Sequence, residues 1–352
     1  MIKPLTSLRF FFAFCVFLSH LSYLKEDERY KSIFSNIFSE GFLGVSFFFI
    51  LSGFILALNY RDKFQNKKIT LKKFYIARFA RIYPLYLVTM LISIPVLYSN
   101  FKILLYNFFL VQSYIPDQKY FFSYNAPSWS ISDEMFFYAL FPILVGISFK
   151  FKKVFKIMLL IMFVSLLIIL NNILPKEKIH YWLYISPFTR IFDFILGILL
   201  FDLALYIKKK KISLHKITLT FFEIGSLAIL AIFFLLHNNL PISYRFSIYY
   251  WLPMCLIILS ATNSFITERN ITWITKILSW KCFVYLGEIS FGFYLIHYLV
   301  ITYAHKYNGM GGIHLNGIPL ALIMFSITLI ASIFAYEIIE KPFNKKIKNL
   351  FS

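Results

Sequence analysis

The sequence predicts an all-α fold, a polytopic transmembrane helical bundle of about ten spans with both termini in the cytoplasm. Three observations carry that prediction. Of 352 residues, 59% are hydrophobic and 21% aromatic while only 15% are charged, a balance that few water-soluble domains tolerate. Apolar runs of about 20 residues, the length that crosses a bilayer as a helix, recur along the whole chain. The lysines and arginines behind the formal net charge of +20 are distributed unevenly among the connectors, as the positive-inside rule requires.

The first apolar run, LTSLRFFFAFCVFLSHLSYL at 5–24, begins like a signal peptide. SHLSYLKED offers no small-x-small cleavage site and further spans follow, so a retained helix is expected. The predicted spans lie at about 6–24, 41–60, 75–98, 128–148, 154–174, 184–207, 217–236, 247–263, 282–304 and 317–339. The segment 101–115 is too short and polar for another span and is expected as a re-entrant or interfacial helix. Gly41, Gly44, Ser52 and Gly53 in GFLGVSFFFILSGF suit close helix approach. Pro84 and Pro142 imply bends or broken backbone within their spans. Cys15, Cys255 and Cys282 have no CxxC spacing and no neighbouring histidines, so neither a disulfide framework nor a metal site is expected. The chain reads as a single transmembrane domain over 1–352, with no fused soluble domain expected.

With a cytoplasmic N-terminus, the inside connectors carry 23 lysines and arginines and the outside connectors 9. Runs such as Lys208 to Lys211 are thereby explained as solvated loops, and Arg269 falls in another inside connector. Most of the positive charge reports topology and contact with anionic lipid headgroups, so no nucleic-acid partner is expected.

The polar groups left within the spans fall into two tiers. Arg9 and His20 are eleven residues apart on the first helix, about three turns, which puts them on nearly the same face roughly 16 Å apart. An inner tier holds Arg9, Arg78 and Arg81 of FYIARFARIYP, with Glu337 and Glu340 closing the last span. An outer tier holds His20, His297 and Glu134 of APSWSISDEMFFYALFP, with Trp129 at the interface. Guanidinium groups suit phosphate because their fork donates paired hydrogen bonds without losing charge. A histidine beside a carboxylate suits proton abstraction from a hydroxyl. Structural readings stand beside these: snorkelling for Arg78 and Arg81, a core hydrogen bond for His297, and an ion pair of Glu134 with Arg190, which lies with Asp193 in SPFTRIFDF. Tyr114, Tyr120 and Tyr124 serve either the core or a sugar-stacking surface.

SLRFFFAFCVFLSH, GFLGVSFFFILSGF, ARFARIYPLY, WSISDEMFFYALFP, ISFGFYLIH and EIIEKPF resemble, in order, the signature blocks of the membrane acyltransferase-3 family of O-acyltransferases, over residues 7–343. The resemblance implies a multi-pass enzyme of the bacterial inner membrane. It would move an acetyl or other short acyl group from cytoplasmic acetyl-CoA to a hydroxyl of a surface or lipid-linked carbohydrate such as O-antigen. The family's first-helix arginine and histidine match Arg9 and His20, its RxxR pair matches Arg78 and Arg81, and its tryptophan-to-glutamate block matches Trp129 and Glu134. The expected mechanism has Arg78, Arg81 and Arg9 binding the phosphates of CoA. His20, oriented by Glu134 or another carboxylate, deprotonates the acceptor hydroxyl. Some relatives add an esterase-like domain, and without one direct transfer is the simpler expectation, with an acyl-enzyme on a tyrosine or serine as the other route. The alternative function is a transporter or flippase of a glycolipid or acyl-carrying intermediate, which would also bury charges in a multi-span bundle.

Overall fold

The computed structural model describes residues 2–210, 215–267, 272–308 and 315–350, and every regular element among them is helical. Lys211 and Arg269, both counted in the topology, lie outside the described residues. The longer helices are α1 (Lys3–Ser19), α2 (Glu28–Asn36), α3 (Leu43–Gln65), α4 (Leu71–Leu97), α5 (Phe101–Phe108), α6 (Trp129–Lys150), α7 (Lys153–Ile173), α8 (Pro187–Lys209), α9 (Lys216–Leu236), α10 (Ile248–Ala261), α11 (Lys281–Tyr307), α12 (Gly317–Ala335) and α13 (Lys341–Leu350). A π turn, Tyr336–Glu340, joins the last two.

Eight of the described helical segments are long and apolar enough to cross a bilayer, and they match eight of the ten predicted spans. The other two predicted spans are helices that fall short for different reasons. The run 6–24 is α-helical only to Ser19, the end of the 17-residue α1, with a short 3-10 turn from Ser22, about 25 Å of α-helix against a hydrocarbon core of about 30 Å. The run 184–207 forms the 23-residue α8, which carries Arg190, Asp193 and Asp202 within one span's length. Segment 101–115 forms the short α5, capped by the Asn100 side chain accepting from the Ile103 N–H at 2.9 Å. Pro84 and Pro142 sit inside helices that continue through them.

The chain forms two compact units. The first comprises Met1–Arg9, Val45–Thr70 and Phe136–Gly287. Its packing depends on a close crossing of α3 and α8. A Cβ on Gly53 would overlap the Phe194 carbonyl oxygen, and one on Gly197 would overlap that of Ile50. Small residues do this in membranes because association there depends on van der Waals contact, which grows as backbones approach.

Beside that crossing, Arg190 is fully buried. Its Nη1 donates to the Phe246 carbonyl at 2.5 Å and its Nη2 to Ser46 Oγ at 2.9 Å. The Asp193 carboxylate lies 3.1 Å from Nη1, and Asp193 also accepts from the Trp251 indole N–H. Arg190 therefore pairs with Asp193, one turn along its own helix. A second polar knot gathers Arg61, Lys156 and Ser148 around Asp202, so two of the connector cations are held at helix ends by a carboxylate.

The second unit comprises Phe10–Gly44, Leu71–Met135 and Glu288–Ser352. Here Gly41 lies against the Cys15 carbonyl, where a Cβ would not fit. The Tyr303 hydroxyl donates to the Ile92 carbonyl at 2.7 Å, tying α11 to α4. The C-terminal α13 packs along α4, on which the π turn also rests.

Gly53→Ala is expected to lower stability by about 1–3 kcal/mol, because the added methyl forces α3 and α8 apart. Gly146→Ala, with nothing within 4 Å of its Cβ position, should leave the unfolding temperature in detergent unchanged or slightly raised.

Candidate active site

The catalytic histidine predicted from the sequence sits where α1 ends, and the ending itself shapes its chemistry. The His20 backbone N–H reaches back only to the Phe17 carbonyl, at 3.1 Å. The Val16 carbonyl, which an unbroken helix would have bonded to that N–H, is left for side chains. Ser19 Oγ donates to it at 2.7 Å and His20 Nδ1 lies 2.9 Å from it. A carbonyl only accepts, so Nδ1 carries the proton and Nε2 presents its lone pair.

Against the same nitrogen stands His297 of α11. Its Nε2 is 3.2 Å from His20 Nδ1, and the two rings are 5.0 Å apart at 54°. His297 is completely buried, whereas His20 is partly exposed. The structural expectation for His297, a core histidine bonded to another helix, is met, and the helix it meets is the one that ends in His20. Among the described residues His20 makes no hydrogen bond to Glu134. The group that fixes its tautomer is the Val16 carbonyl, with the second imidazole in place of the expected carboxylate.

Residues just before and at the start of α6 hold this arrangement. The Tyr294 hydroxyl, one turn before His297, is 2.8 Å from Ser130 Oγ and 3.2 Å from the Pro127 carbonyl. Asn125 donates to the Leu295 carbonyl at 2.8 Å. Tyr298 sets its ring edge-on to His20 at 5.4 Å. Tyr294, Ser130 and Asn125 were not identified from the sequence as site residues. A signal was available in ISFGFYLIH, where Tyr294 and His297 have the i, i+3 spacing of one helix face. Glu134 is partly exposed on α6, four residues beyond Ser130 and thus on the same face. Asp133 beside it is fully buried.

The arginine pair lies at the beginning of α4. Arg81 Nη1 bonds Glu340 Oε2 at 2.8 Å, and its guanidinium covers the Phe291 ring at 5.6 Å. Glu340, on the π turn, is buried, and Arg81 keeps about a quarter of its surface. Arg78 is partly exposed one turn earlier on α4, and Arg9 is partly exposed on the stretch of α1 that belongs to the first unit. Phe291, under Arg81, and His297, against His20, are six residues apart on α11, about 9 Å of helix rise. One helix thus carries both tiers of the second unit.

Of the loop tyrosines, Tyr124 is buried at positive φ (55°) and belongs to the core. Tyr114, outside the spans, has its phenol pushed up to about 12 by burial and the nearby Asp133 charge, so it stays a neutral hydroxyl at ordinary pH.

A helical protein with helices apolar enough to span a membrane, an internal imidazole pair and a partly open arginine site belongs among the polytopic membrane proteins that keep polar chemistry inside a bundle. The chain belongs to the family described as the acyltransferase domain, whose model matches residues 3–337. It is 27% identical over 374 residues to acyltransferase MdmB of Streptomyces mycarofaciens, covering 97% of this chain and 91% of that protein. It is 26% identical over 334 residues to O-acetyltransferase OatA of Staphylococcus aureus, covering 88% of this chain. The chain spans 53% of OatA's length, about half. No solved structure matches the chain.

Arg81→Ala is expected to destabilise the protein by about 1–3 kcal/mol, because it removes the charged hydrogen-bond partner of a buried carboxylate. Replacing Glu340 by Leu in the same molecule should recover part of the loss, since the charge then goes with its partner. Thermal unfolding of both variants in detergent checks this.

Proposed function

We propose that the protein is a membrane O-acyltransferase that moves an acetyl or other short acyl group from cytoplasmic acyl-CoA to a hydroxyl of a surface or lipid-linked carbohydrate. Family membership and the names of the relatives support acyl transfer. The observation that carries the mechanism is the His20 ring, whose Nδ1–H is held by Val16 and His297. That leaves Nε2 as the basic nitrogen on a partly exposed side chain.

In this mechanism His20 Nε2 takes the proton of the acceptor hydroxyl as its oxygen attacks the thioester carbonyl. The new C–O bond forms, the C–S bond of the tetrahedral intermediate breaks, and the thiolate leaves with the proton returned from His20. The imidazolium formed on the way is steadied by the Val16 carbonyl dipole. His297 and Tyr298 hold the ring in place, which keeps the reacting nitrogen in one geometry. Glu134, on the Ser130 face of α6, keeps the role of a carboxylate that supports His20 in the reaction. Arg78 and Arg81 are assigned to the phosphates of the donor, where guanidinium forks give charge-assisted bonds. The lipid bilayer is the solvent for the bundle, the bacterial inner membrane its site, and the N-terminus cytoplasmic.

Release of free thiol from acetyl-CoA by the purified protein with the acceptor present tests the reading. His20→Ala is expected to lose about 10²–10⁴ in rate, the usual contribution of a general base. His297→Gln, which loses only a shared hydrogen bond of about 1 kcal/mol, should lose tenfold or less. Near-normal turnover by His20→Ala would remove His20 from the chemistry.

A further inference from the structure

A cavity of about 370 Å³ opens beside Arg81. Arg81 and Tyr336 wall one side, and Lys341, Asn344, Lys345 and Lys348 of α13 wall the other. The three lysines follow an i, i+4, i+7 spacing in KPFNKKIKNL, so one face of the helix carries them all. Lys346 lies off that face and off the cavity.

Crowding cations on one face is unfavourable, because like charges at i, i+4 repel. The Lys348 ammonium also lies close enough to the Arg78 and Arg81 guanidiniums to be repelled by both. Two carboxylates offset part of this charge: Glu340 holds Arg81, and Glu337 holds Lys341 at 3.2 Å. Among the described residues Lys345 and Lys348 make no ion pair. The cavity thus keeps two cations without a carboxylate, which matches a phosphate monoester of charge about −1.5 to −2. The Asn344 amide, both donor and acceptor, suits a neutral polar group attached to that phosphate. The volume is at the lower end of small-molecule pockets and suits a phosphorylated nucleoside better than a whole CoA.

We propose that α13 is a phosphate clamp in which Lys345 and Lys348, beside Arg81, hold the phosphorylated ribonucleoside end of the acyl carrier. This rests on the reading that the donor is an acyl-CoA. The role reverses the expectation that the C-terminal lysines only mark topology. It also explains why EIIEKPF runs straight into a basic helix packed on the arginine-bearing α4. A phosphate on a lipid headgroup has the same chemistry, and the composition of the surrounding bilayer separates the two sources.

The test uses the full-length protein in nanodiscs of neutral and, in parallel, of anionic lipid, comparing wild type, the Lys345→Gln/Lys348→Gln double variant and Lys346→Gln. Steady-state acyl transfer is measured with acetyl-CoA and with its 3′-dephospho form, and binding of adenosine 3′,5′-bisphosphate by calorimetry. The double variant is expected to raise KM for acetyl-CoA at least about tenfold with kcat within about twofold. It should weaken bisphosphate binding in parallel and lose the wild type's preference for the 3′-phosphorylated donor, while Lys346→Gln matches wild type. An unchanged KM and unchanged bisphosphate binding would overturn the clamp. So would an effect confined to nanodiscs of anionic lipid, which would assign the lysines to headgroups. Lysine-dependent bisphosphate binding without any acetyl-CoA turnover would overturn the proposed function and leave the clamp standing.

Discussion

The structure depends on one constraint: a polar group inside an apolar bundle must find its partner within the protein, because lipid supplies none. Arg190, His297 and Glu340 each occupy a junction where helices meet or turn. Arg190 takes the Phe246 carbonyl, Ser46 and Asp193 at such a junction. The same constraint fixes the tautomer of His20. Once α1 stops, the Val16 carbonyl needs a donor, and the His20 imidazole supplies one through Nδ1. The His20 side chain thus acts as a helix cap, and its tautomer follows from the backbone.

In the second unit α11 is the element on which the functional groups converge. Along its length it presents Phe291 beneath Arg81, Tyr294 to Ser130, the Leu295 carbonyl to Asn125 and His297 to His20. These contacts join four sequence blocks that are far apart in the chain. A helix is stiff over this distance, so the spacing between arginine site and imidazole pair is set by helix rise and is insensitive to loop conformation. Glu340 adds a complementary device, since its pairing with Arg81 keeps the cation oriented without a ligand.

Much of the fold was legible in the sequence because hydrophobic runs and charge bias report the solvent directly. Eight predicted spans recur as helices of spanning length and apolarity. The two that fall short are those carrying the most informative polar residues, Arg9 and His20 in one and Arg190 and Asp193 in the other. The first falls short because α1 ends at Ser19 and the second because charges within α8 weaken its hydropathy signal. Glycine positions were read correctly as close approaches, since a missing Cβ has only that use at a helix crossing.

The sequence by itself determined the residue types at the site, the helical class and the family blocks, because these follow from side-chain chemistry and period. It could not determine which polar groups would meet. Glu134 was a reasonable partner for His20 or Arg190, but Arg190 found Asp193 on its own helix and His20 found a backbone carbonyl and a histidine 277 residues away in the chain. Likewise Lys345 and Lys348 read as topology markers until α13 packed on α4 and turned them toward Arg81. Pairing depends on distances of about 3 Å between groups remote in sequence, and only the packing of helices fixes those.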